Sequence, residues 1–108
     1  MTEDRVAALT EEIGWLKDCC LHLEVVPTPT LVIGEDHIDH QDYADTDGIW
    51  LFKGKMPDAE VEQFFVLMEQ GDTTGHGCQC SSTLTKFDTL ADALEIGLTK
   101  DERERLKL

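Results

Sequence analysis

Residues 48–54 read Gly48-Ile49-Trp50-Leu51-Phe52-Lys53-Gly54. Four consecutive large apolar residues between two glycines are too few for a helix and fit a buried strand. Side chains alternate along a strand, so Trp50 and Phe52 share one face while Ile49 and Leu51 share the other. Both faces are apolar, which requires helices on both sides or leaves one face as an interaction surface with Trp50 as an anchor. Self-association through that face, to a homodimer, would satisfy the same residues.

Working outward, Thr30-Leu31-Val32-Ile33 is a second β-rich run, closed by Gly34. If it pairs with Ile49–Phe52, the connection from Glu35 to Asp47 exceeds the common hairpin loops of about 2–5 residues. Towards the N-terminus, Val6, Leu9, Ile13, Leu16, Cys20 and Leu23 recur at steps of three and four, which predicts a helix from Thr2 to Leu23 with Thr2 as N-cap. Pro27 and Pro29 forbid its continuation.

Beyond the central strand, Pro57-Asp58 followed by Val61, Phe64, Phe65 and Met68 at i, i+3, i+4 and i+7 reads as a second helix stopped by Gly71. Gln79 to Phe87, rich in Ser and Thr with scattered apolar residues, reads as a half-exposed third strand. Asp88 or Thr89 can cap a further helix that ends at Gly97, where a left-handed C-cap is natural. Thr99-Lys100-Asp101-Glu102 matches a capping box. It opens a last helix, Lys100 to Leu108, whose three acids and four bases mark it as a solvated surface element. The expected fold is a small single α+β domain: a three-stranded, mostly antiparallel sheet with three to four helices in the order α-β-β-α-β-α-α.

The 108 residues fit one domain and leave no room for a second core. No window approaches the ~18 consecutive apolar residues of a spanning helix. The start, Met1-Thr2-Glu3-Asp4-Arg5, is acidic where a secretory signal is basic, so the expected location is cytoplasmic. Cys19, Cys20, Cys78 and Cys80 are then expected as thiols.

Charge is the other decisive feature. Asp18 to Phe52 carries eight carboxylates and no Lys or Arg, in a chain of net charge -14. Such a field repels nucleic acid and anionic membranes and attracts basic partners. Glu35, Asp36, Asp39, Asp42, Asp45 and Asp47 are spaced so as to present a row of carboxylates, with no basic residue nearby in sequence to neutralise them. In charge, that row approximates the phosphates of a nucleic acid. Bacteriophage DNA mimics, anti-CRISPR proteins and the immunity proteins of toxic nucleases use this logic, and the chain resembles them in size and charge. The implied activity is binding to, and inhibition of, a basic nucleic-acid-processing protein.

An EF-hand reading of Asp45-x-Asp47-Gly48 fails, because it places Tyr43 at the first ligand position and Gly54 at the twelfth. His76-Gly77-Cys78-Gln79-Cys80 is the densest group of soft ligands. A zinc site would use His76, Cys78 and Cys80, completed by Cys19 or His22, with His37 and His40 as a second pair. Paired C-x-x-C knuckles are missing, and Cys20 falls on the apolar stripe of the first helix. A redox thiol needs nearby positive charge, of which there is little. No phosphate loop, nucleophile elbow or zinc-protease helix occurs, so no enzymatic activity is expected. The zinc domain is the rival reading, and acidity that serves solubility alone is the third.

Overall fold

A computed structural model describes residues 2–19, 25–39, 46–72 and 79–108. The chain forms α1 (Thr2–Cys19), β1 (Thr28–Asp39), β2 (Thr46–Lys55), β3 (Gln63–Asp72), β4 (Gln79–Phe87), α2 (Leu90–Glu95) and α3 (Lys100–Arg105). The four strands make one antiparallel meander in the order β1-β2-β3-β4. The class is α+β, as the sequence predicts, but with four strands and three helices among the described residues.

The extra strand is β3, which corrects the predicted second helix. Gln63-Phe64-Phe65-Val66-Leu67-Met68 is a continuous apolar run after Gln63, and the helical stripe through Val61, Phe64, Phe65 and Met68 left Val66 and Leu67 unused. As a strand, the run has work for every residue. Phe65 and Leu67 point to one face, and Phe64, Val66 and Met68 to the other. Continuous hydrophobic runs of this kind mark strands covered on both sides.

Helices do cover both sides. On one face, Leu9, Ile13 and Leu16 of α1 pack with Val32, Trp50, Phe52, Phe65 and Leu67. The Phe52 and Phe65 rings, paired across β2 and β3, stack with centroids 5.4 Å apart. On the other face, Ile49, Leu51 and Val66 pack with Ala93, Leu98 and Leu106 from the α2–α3 segment. Each fully buried Leu or Phe contributes roughly 1.5–3 kcal/mol of transfer free energy. Trp50 is therefore a core residue, 5 % exposed and packed under α1, which corrects the expectation of a surface anchor. The predicted helix to Leu23 is described as far as Cys19; residues 20–23 lie outside the described residues.

Gly34, Gly48 and Gly54 sit inside strands rather than closing them. A Cβ at Gly48 would collide with the Trp50 indole, and one at Gly34 would fall 3.2 Å from Leu106 Cβ. These glycines admit close neighbours.

The caps of the two short helices follow the sequence. Thr89 Oγ1 accepts from the Asp92 amide, and Thr99 with Glu102 forms the reciprocal capping box. The C-cap of α2 is Ile96 in a right-handed conformation, which corrects the expected left-handed Gly97. Gly97 is instead needed for space, since a Cβ there would meet the Ala93 carbonyl and the Phe87 ring, each at 2.7 Å. The left-handed residue closes α3: Lys107, at φ 61°, donates to Glu104 O while Leu108 donates to Arg103 O, which is a Schellman arrangement. α3 itself has no buried residue, as expected of a surface helix, and it is tied down by its C-cap Leu106, which is buried against the sheet.

Candidate functional site: the acidic end of the sheet

The meander sets the geometry. β1 ends at Asp39, β2 begins at Thr46, β3 ends at Asp72 and β4 begins at Gln79, so the connections 40–45 and 73–78 leave the same end of the sheet. The cross-strand rows there are Asp39–Thr46–Gly71–Cys80 and Ile38–Asp47–Gln70–Ser81. The strand ends that lead into the acidic segment and the Cys/His segment, far apart in sequence, thus lie at one end of the sheet. From Met56 to Thr85 the chain has no Lys or Arg, and none between Asp18 and Phe52. All three strand lysines, Lys53, Lys55 and Lys86, lie towards the opposite end.

The predicted long connection from Glu35 to Asp47 is corrected, because Glu35, Asp36, Asp39 and Asp47 are strand residues and the connection proper is 40–45. The paired strand gains backbone hydrogen bonds that a free loop would forgo. Asp42 and Asp45 lie outside the described residues.

Two carboxylates of the row are neutralised, contrary to the expectation of an uncompensated field. Glu35 sits opposite Trp50 and faces α1, where Arg5 Nε donates to Glu35 Oε1 at 2.9 Å. Asp36 sits opposite Ile49 and faces the other helical layer, where Arg105 Nε donates to Asp36 Oδ2 at 2.7 Å. The arginines are 30 and 69 residues distant in sequence, so no local inspection finds them.

A bulge decides which carboxylate meets which arginine. The β1–β2 register shifts between Val32 and Gly34. Side chains alternate strictly in an unbroken strand, so without that extra residue Glu35 would face α3 and Asp36 would face α1.

β3 adds acids that the helical reading hid. Asp72 lies in the terminal row opposite Gln79, and Glu69, between Gly48 and Ser82, is 2 % exposed. Glu69 is engaged rather than free, as burial of a carboxylate requires. Directly across from it, the Ser82 hydroxyl is buried with no hydrogen-bond partner among the described residues. The signal for these acids was the apolar run before Glu69, read with period two.

For the metal candidates, His76 and Cys78 lie outside the described residues. Cys80 is placed opposite Gly71 in β4, and Cys19 is the last residue of α1. Among the described residues no group of three or more His, Cys, Asp or Glu side chains is arranged to hold a metal ion, and no helix is long and apolar enough to cross a membrane.

The fold is an antiparallel α+β sheet covered by helices on both faces, with Asp39, Asp47 and Asp72 at one end of its strands. No protein-family model, curated protein or solved structure matches the chain.

Proposed function

We propose that this protein works by binding, without chemistry of its own, and that the acidic end of its sheet docks on the basic surface of a nucleic-acid-processing protein and blocks it. The observation that carries this reading is segregation: two base-free stretches converge at one end of the sheet while the strand lysines collect towards the other. Glu35 and Asp36 already hold arginines, so the weight of recognition falls on Asp39, Asp42, Asp45 and Asp47. Charge segregated in this way steers association and sets its orientation.

The test is capture of partners from host lysate by the wild-type chain and by an Asp39, Asp42, Asp45 and Asp47→Asn variant. The expected result is a nucleic-acid-binding protein retained at low salt, released near ~0.5 M salt where surface attraction is screened, and absent from the variant. Identical retention by both proteins would sink the proposal.

A zinc domain is the second reading, favoured by the soft-ligand run His76-Gly77-Cys78-Gln79-Cys80 that leads into β4. Metal analysis of untagged protein decides it. One zinc per chain, lost on Cys78→Ser with Cys80→Ser, would establish the site; metal-free, folded protein would remove it.

A further inference from the structure

The two edge strands of the sheet are unlike. β1 carries Glu35, Asp36 and Asp39, contains Pro29, is bulged twice, and is clasped from both faces by Arg5 and Arg105. Charges, prolines and bulges are the devices by which proteins close a sheet edge to further pairing. β4 has few of them. Gln79-Cys80-Ser81-Ser82-Thr83-Leu84-Thr85-Lys86-Phe87 pairs with β3 without a register shift, contains no proline, and is the one helix or strand among the described residues without an acidic residue. Its outer backbone groups form no hydrogen bond to another element among the described residues.

We propose that β4 pairs with β4 of a second copy of this chain, antiparallel and centred on Thr83, to give a continuous eight-stranded sheet. The absence of acids selects β4 as the strand through which two copies can pair, and charge selects the orientation. Two chains of net charge -14 repel nearly everywhere, and β4 is where that repulsion is weakest. Antiparallel pairing also sends the two acidic sheet ends in opposite directions, whereas parallel pairing would align them. Centring on Thr83 pairs all nine residues and sets each Lys86 against Cys80, so no like charges oppose. An antiparallel pair of this length forms on the order of eight hydrogen bonds. The inference is independent of the basic partner proposed above, and the acidic ends stay open in the dimer.

The test is sedimentation equilibrium of the full chain at about 100 µM, within the range where small interfaces associate. A species of twice the 12.1 kDa chain mass is expected. Its share should rise with salt as repulsion is screened, the reverse of the salt response expected for a basic partner. Thr83 is exposed, so its substitution spares the core. Thr83→Glu and Thr83→Lys each set like charges face to face across the two-fold, and each should raise the dissociation constant by up to about fivefold with an unchanged circular dichroism spectrum. Mixing the two variants should restore the dimer as a heterodimer. A wild-type monomer at every salt concentration, a dissociation constant unchanged by either substitution, or a mixture that stays monomeric would each overturn the proposal.

Discussion

The two ends of the sheet handle charge differently. At the lysine end, Lys53 Nζ lies 3.7 Å from Glu62 Oε2 and 5.8 Å from the centre of the Phe64 ring, and Gln63 Nε2 donates to Asp88 Oδ1 at 2.9 Å. The single Thr30 hydroxyl hydrogen is shared between the Lys53 carbonyl and Glu62 Oε2, each 3.1 Å from Oγ1. Lys53 and Glu62 flank the β2–β3 turn, so that charge is answered locally. At the acidic end the neutralising arginines come from opposite ends of the chain. Charge balance at the first end is a property of a hairpin; at the second it exists only once both helical layers have docked.

The largest effect that probes this contrast is steric. Gly48→Ala at the acidic end drives a methyl into the Trp50 indole and should cost about 1–3 kcal/mol, read from the urea midpoint. Trp50→Leu in the same chain removes the obstacle, so the double variant should lose less than the sum of the single costs. Gly54→Ala at the lysine end meets the Thr28 carbonyl at 2.8 Å, a backbone obstacle that no side-chain trimming relieves. Strictly additive costs for Gly48 and Trp50 would contradict the packing described.

A smaller effect tests how Arg105 is held. Thr99→Ala removes the cap of α3 and should cost about 1 kcal/mol, or roughly 4–8 °C in melting temperature for a domain of this size. A loss confined to α3, with the sheet signal untouched, would mean that α3 is not coupled to Asp36 and Leu106 as its contacts require.

The smallest effect separates neutralisation from recognition. Arg5→Ala and Arg105→Ala should each cost about 0.2–1 kcal/mol, because both ion pairs are partly exposed, and the cost should vanish near ~0.5 M salt. Each change also frees a carboxylate, so association with a basic partner should quicken. Slower association would place the arginines themselves in the partner interface.

Much of this architecture was legible along the chain. Leu9, Ile13 and Leu16 carry one helical stripe, Ile49 to Phe52 mark a strand apolar on both faces, Gln79 to Phe87 form the expected strand, and Thr89 and Thr99 sit at their caps. Phe64 to Met68 misled because a short, fully apolar run satisfies a helical period as readily as a two-sided strand. Only the neighbours on each face, Ile49 and Leu51 behind and α1 in front, distinguish the two. At the acidic end the carboxylates were visible, but their directions were not, since the extra residue at the Val32–Gly34 shift inverts the alternation that a linear count assumes.

Local chemistry in the chain fixed what could form over a few residues: the helical stripe, the N-caps at Thr89 and Thr99, the apolar strands and the sign of the charge. Those depend on periodicity and on side-chain hydrogen bonds within one turn, which are written in adjacent residues. Tertiary structure decided that residues 63–72 extend, that Glu35 meets Arg5 and Asp36 meets Arg105, and that the acidic and Cys/His connections share one end of the sheet. Each of these depends on which surfaces are buried together and on a register across strands, and no window of sequence contains both partners.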